Sequence, residues 1–283
     1  MVPAYAFRFR WMALLAVLLV GMGANVRAEG TIDRLMDVSG LRHTLEQLPA
    51  VVLVAFDAPR PDIEMSAQVR VAMKDAARQA FRTDILLATA RDHLERSLNK
   101  EQTASAIAFY ETPLGRQLTQ LEREMADPSL SGAFDSYVQE LAKRPPTHAR
   151  MKLIEAYDAA TGSSEAVLAV MESTALAVAL GLNASQPRQA QLPSQDLQRR
   201  MREARPEIEA QARLHVMASV LYTYRRLGDA EFGDYVRFLE APAGVGYARA
   251  SAQVFQRIMT EAVGRLMQAL PMALERARGS ARI

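Results

Sequence analysis

Phe109-Tyr110-Glu111-Thr112-Pro113-Leu114-Gly115 ends one helical pattern and begins another, and it returns loosely as Phe238-Leu239-Glu240-Ala241-Pro242-Ala243-Gly244. Pro113 disfavours the helical conformation at Thr112. It suits the first position of a new helix, where its missing N–H would have had no partner. Thr112 has the side chain of an N-cap. Leu114, Leu118, Leu121 and Met125 then recur as the apolar stripe of the next helix. A glycine in that first turn, Gly115, points to close approach by a neighbouring helix. Glu111 sits beside a helix N-terminus, where the helix dipole favours a carboxylate.

Helical periodicity continues in both directions. Upstream, Thr31 is a candidate N-cap, and Gly40 is placed to break or kink the first helix. Leu41, Leu45, Leu48, Val52 and Ala55 recur at three- and four-residue spacing. Val51 to Val54 alone could be a strand, but their phase with Leu45 and Leu48 favours helix. Pro59 and Pro61 mark a loop. A helical pattern from Ile63 to Leu94, bent near Arg82, meets a turn at Leu98-Asn99-Lys100, and a short helix over Glu101–Glu111 leads into the joint. Asp127-Pro128 starts another helix.

Lys143-Arg144-Pro145-Pro146 is the strongest punctuation in mid-chain, and after it the order repeats. The turn Thr161–Ser164 precedes an apolar helix over Val167–Leu182. A proline loop over Asn183–Gln195 and a charged helix from Asp196, kinked at Pro206, follow. Next come the turn Leu227-Gly228-Asp229 and a short helix, Ala230–Glu240. The final helix, Ala243–Leu270, is expected to end or kink at Pro271, with a frayed basic tail. A shift of 129 residues superposes Phe109 on Phe238, Glu111 on Glu240, Pro113 on Pro242 and Gly115 on Gly244. The expected fold is all-α, with two similar multi-helix halves, 29–145 and 146–283, packed as a helical bundle.

An aromatic pair, a proline and a glycine at such a joint, in a helical chain with an export signal, resemble the bacterial domain-of-unknown-function 2059 family. Phe109-Tyr110, Pro113 and Gly115 carry the resemblance. The second copy departs from it at Leu239 and Ala241. The resemblance implies an exported helical protein and supplies no reaction and no catalytic residue.

The N-terminus reads as a signal peptide over residues 1–28. Arg8 and Arg10 precede the apolar run Trp11–Val20, and Val26-Arg27-Ala28 offers a small-residue cleavage site. Its removal takes away three arginines and no acid, so the net charge passes from +2 to −1. That balance argues against nucleic acid as a partner. The expected location is periplasmic or secreted, without an integral membrane segment after cleavage. The chain has no cysteine, so packing alone must hold it.

Candidate chemistry is sparse. His43, His93, His148 and His215 are not spaced as metal ligands, although His43 with Glu46 and His93 with Glu95 have suitable residue types. No hydrolase elbow, phosphate loop or calcium loop is present. Catalytic, cofactor and metal residues are therefore expected to be absent. Gly244-Val245-Gly246 reads as a helix-packing patch, and Arg199–Arg205 as a solvated face that could alternatively meet anionic lipid head groups. Glu111 and Glu240 are the acids repeated at the joints. Three functions remain: a non-enzymatic envelope binding module whose partner is another envelope protein, a hydrolase using scattered acids, and a carrier of an apolar ligand.

Overall fold

Helix is the expected outcome for a chain rich in Ala, Leu, Arg, Gln and Glu, which lose little side-chain freedom in that conformation. The computed structural model describes residues 30–280, except 58–66, 127–130, 142, 186–188 and 190. The signal-peptide reading, the Pro59/Pro61 loop and Asp127-Pro128 lie outside the described residues. In chain order the helices are α1 (Thr31–Ser39), α2 (Leu41–Asp57), α3 (Ala67–Ala80), α4 (Thr83–Ser97), α5 (Lys100–Tyr110) and α6 (Pro113–Ala126). Then follow α7 (Ser131–Leu141), α8 (His148–Thr161), α9 (Ser163–Ser185), α10 (Ser194–Thr223), α11 (Asp229–Glu240) and α12 (Pro242–Ser280). No strand occurs among the described residues, so Val51–Val54 are helical. Among those residues no helix is long and apolar enough to cross a membrane.

Gly40 and Gly162 have φ of 76° and 65°, the left-handed region that glycine enters without a Cβ penalty. Gly40 separates α1 from α2, and Gly162 separates α8 from α9. Phe81 and Arg82 separate α3 from α4, at the expected bend, whereas the charged helical stretch expected from Asp196 is the single helix α10. α12 does not end at Pro271; it runs on to Ser280, and the expected frayed tail is helical that far. A proline inside a helix removes one backbone bond. The surrounding turns of α12 continue through that loss, as those of α10 do at Pro206.

The turns before α5 and α11 share one device. Asn99 N–H donates to Gln102 Oε1 at 3.1 Å, and Gln102 N–H donates to Asn99 Oδ1 at 2.8 Å, a complete capping box. Gly228 N–H donates to Glu231 Oε2 at 2.9 Å, which gives the reciprocal half of that box. Asn99→Ala should lower stability by about 1 kcal/mol in chemical denaturation, the ordinary worth of an N-cap.

The chain builds two apolar cores. One gathers α1 to α5 with the length of α12: Leu35, Leu45, Leu86 and Tyr110 meet Tyr247, Val254 and Ile258. The other gathers α8 to α11 with α6 and α7: Tyr157, Leu168, Val220 and Phe232 meet Leu118, Leu121 and Phe134. Each helix that follows a joint thus lies mainly in the core built by the other part of the chain. Both cores draw on residues from both sides of residue 145. Burying Leu118, Leu121 and Met125 contributes about 1.5–3 kcal/mol for each side chain, so this crossing is a large part of the cohesion.

Candidate functional site: the paired joints and a buried acid

The two joints meet face to face. The Phe109 and Phe238 rings stack at 3.7 Å between centroids, with 1° between their planes. Tyr110 stands edge-on to both Phe109 and Phe238 and to Tyr247. At the first joint Pro113 opens α6, and Thr112 Oγ1 accepts from Gly115 N–H at 3.0 Å, as expected of an N-cap. The same hydroxyl donates to Phe109 O at 2.7 Å, which ties the end of α5 to the start of α6. Ala241 has no hydroxyl; its backbone N–H donates to Phe238 O at 3.0 Å.

Gly115 and Gly244 are required by their own joints. A Cβ on Gly115 would lie 2.3 Å from Phe109 O and 2.5 Å from Tyr110 Cα, and one on Gly244 would lie 1.9 Å from Phe238 O. The close neighbour is the end of the preceding helix, folded back across the turn, rather than a helix distant in sequence. Gly246 does meet such a helix: a Cβ there would lie 2.5 Å from Gln102 Nε2, on α5. The Gly244–Gly246 stretch is therefore a packing surface.

The repeated acids have different fates. Glu111 accepts from Arg34 Nε at 2.9 Å across the α1–α5 contact. Arg34 is 60% exposed, so this pair contributes at most about 1 kcal/mol. Glu240 faces solvent at the end of α11. Glu111 and Arg34 border a shallow surface pocket of about 400 Å³, which Thr31, Ala104, Ile107 and Ala108 complete.

A third carboxyl group was missed in the sequence. Glu122 on α6 is 3% exposed. Its Oε1 accepts from Tyr224 O–H, and its Oε2 has no hydrogen-bond partner. Tyr110, Tyr157, Tyr235 and Tyr247, all buried, complete the shell. Burial drives the Glu122 pKa well above the ordinary carboxylic-acid range, and the polar contacts from Tyr224 and Tyr235 offset only part of that cost. The Tyr110 and Tyr235 hydroxyls make no hydrogen bond of good geometry. Tyr247 O–H donates to Ser39 Oγ on α1, so the polar groups run from one core into the other. Glu122 was legible in one respect. Leu118, Leu121, Glu122 and Met125 share a helical face, so an acid interrupts an apolar stripe.

The histidines remain apart. His93 Nε2 lies 3.1 Å from Gln253 Oε1 on α12, and His215 stands edge-on to Phe134. Burial lowers the His43 pKa, and the nearby Arg123 lowers it further. Among the described residues no three His, Asp or Glu side chains gather as metal ligands. In the arginine-rich run, Arg199 pairs with Asp196 at 2.7 Å and Arg205 pairs with Glu172 at 2.6 Å. These exposed pairs fit a solvated face.

Residues 84–144 match the profile of a bacterial family described as "Uncharacterized protein conserved in bacteria (DUF2059)". That segment contains the first joint with α5, α6 and α7. No curated protein and no solved structure matches the chain.

Proposed function

We propose that the protein is an exported, non-enzymatic binding module of the bacterial envelope. We further propose that it is built from two copies of one helical unit, 29–145 and 146–283, each lending its last helices to the other. Left-handed glycines between α1 and α2 and between α8 and α9, 122 residues apart, support the duplication. So do matching caps at Gln102 and Glu231 and matching steric demands at Gly115 and Gly244.

The observation that carries the binding role is the disposition of the carboxylates. Glu111 is engaged by Arg34 at the edge of a surface pocket, whereas Glu122 is sealed among tyrosines. Neither has the setting of an acid poised beside a substrate. The pocket, with an apolar floor of Ala104 and Ile107 and an ion pair at its edge, suits a side chain of a protein partner. The ring stack between the joints gives the apolar-carrier reading little room, and the exposure of Glu240 gives the paired-acid hydrolase no enclosed site.

Ala104→Trp should fill the pocket from an exposed helix position without entering a core. The tagged full chain should retain a specific envelope partner that Ala104→Trp loses at unchanged melting temperature. Equal recovery by both proteins, or no partner above background, would count against the reading. Recovery of the native protein in the cytoplasmic fraction alone would remove the exported part of it.

A further inference from the structure

We propose that Glu122 is a proton-operated latch where α6 enters the core of α8 to α11: as the neutral acid it holds α6 against α10 and α11, and loss of its proton loosens that contact. The geometry carries this. The carboxyl lies where α6, having crossed from its own joint, enters the core of α8 to α11. One oxygen accepts from Tyr224 and the other has no hydrogen-bond partner. An ionised carboxylate in that position would be met only by the Tyr224 and Tyr235 hydroxyls, a costly arrangement in a buried site without a paired cation.

The groups around it supply none. Tyr110 on α5, Tyr157 on α8, Tyr224 at the end of α10, Tyr235 on α11 and Tyr247 on α12 are neutral across the physiological range, because burial drives every one of their pKa values upward. Arg150 on α8 comes nearest in bonding terms, but it is spent on the backbone carbonyl of Tyr224 and on Asp229. In the turn after α10, Arg225 covers the Tyr222 ring and Arg226 pairs with Glu124. On α1 and α2, Asp37, His43 and Glu46 act on Arg123, the next residue of α6.

The sign follows from linkage. In the unfolded chain Glu122 releases its proton near the ordinary value of 4.5, and in the folded protein well above it. Between those points the folded state binds the extra proton, so stability falls as pH rises. His43 and Asp33 act in the opposite sense, as does the exposed Asp84, whose pKa the hydrogen bond from Arg82 lowers. Burial and Arg123 lower the pKa of His43, so its contribution is complete above its unfolded value of 6.5 and is lost as pH falls through the folded one. Burial alone would raise the Asp33 pKa, but hydrogen bonds from Arg91 and Arg42 outweigh it, so its contribution is lost only in stronger acid, below 3.8.

The test is thermal melting of the full chain carrying His43→Gln, with and without Glu122→Gln, from about pH 5 to about pH 8. Glu122→Gln keeps the size of the side chain and an acceptor for Tyr224. With Glu122 present, the melting temperature should fall by several degrees across that range; in the Glu122→Gln protein the fall should vanish. Hydrogen exchange should show the α6 amides opening faster at the upper pH only when Glu122 is present. Parallel pH profiles in the two proteins would overturn the proposal. If Glu122→Gln fails to fold, the infrared band of a protonated carboxylic acid in the otherwise unaltered protein at about pH 7 decides the matter. Its presence, fading in step with faster α6 exchange as pH rises, supports the latch, and its absence overturns it.

Discussion

Gly115→Ala is expected to destabilise the protein by about 3 kcal/mol, at the upper end of ordinary overpacking, and Gly244→Ala by a similar amount. The new methyl would fall 2.3 Å from Phe109 O in the first case and 1.9 Å from Phe238 O in the second. These obstructions are backbone atoms of the preceding helix, which no rotamer change can move aside. Relief would require the joint to open, which would disturb the Phe109–Phe238 stack and the entry of α6 or α12 into the opposite core. A drop of about 6–12 °C in melting temperature is expected for each substitution. Gly264→Ala supplies the comparison. It lies within α12 with no heavy atom within 4 Å of a built Cβ. There alanine should be neutral or stabilising by up to about 1 kcal/mol, through its better helix propensity. Equal melting temperatures for Gly115→Ala and Gly264→Ala would refute the steric account of the joint.

Arg150→Ala is expected to cost about 3 kcal/mol in chemical denaturation, as for loss of a buried charged hydrogen-bonding group. The guanidinium donates to Tyr224 O at 2.6 Å, Leu227 O at 3.4 Å and Asp229 Oδ1 at 3.2 Å, and lies 4.5 Å over the Phe232 ring. It closes the turn between α10 and α11. The turn before α5 shares the bond from the N-cap backbone to the third residue's side chain and adds the Asn99 side-chain cap. Gly228 offers no side-chain cap, so the second turn relies on an arginine from α8. Arg150→Lys should recover only part of the loss, because an ammonium cannot reproduce a planar fork with several fixed donors. Full recovery by lysine would show that charge alone, rather than the directed contacts to Tyr224 and Leu227, stabilises the turn.

The joints were legible because their determinants are local. Pro113 fixes where α6 starts, Thr112 caps it, and a glycine two residues after the proline permits the backbone to fold back. The close approach expected at Gly115 is made by the helix just before it: the nearest atoms are Phe109 O and Tyr110 Cα, six and five residues earlier. Of the two outcomes expected at Pro271, an end or a kink, the end does not occur, since α12 runs on to Ser280. A proline's local cost is fixed, but whether a helix survives it depends on the turns on either side.

The candidate site was less visible than the fold. Glu111 drew attention through repetition and proved to be a partner of Arg34, 77 residues away. Glu122 stands beside the stripe Leu118, Leu121 and Met125 and is not repeated at the second joint. Its burial depends on which helices come to lie over α6, and those include segments more than a hundred positions later, with Tyr224 and Tyr235 among their residues.

The sequence by itself determined that the chain is helical, where its principal breaks fall and that two joints share one chemistry, since propensity, capping and proline sterics act within a few residues. Only the tertiary structure decided that the helix after each joint enters the other core, that Phe109 and Phe238 stack, and that Glu122 is enclosed. Those outcomes depend on burying apolar faces presented by distant segments, and the faces of α6 and α12 are apolar enough to fit either core. Periodicity marks a face for burial without naming its partner, so an acid on such a face acquires its chemistry only when that partner is in place.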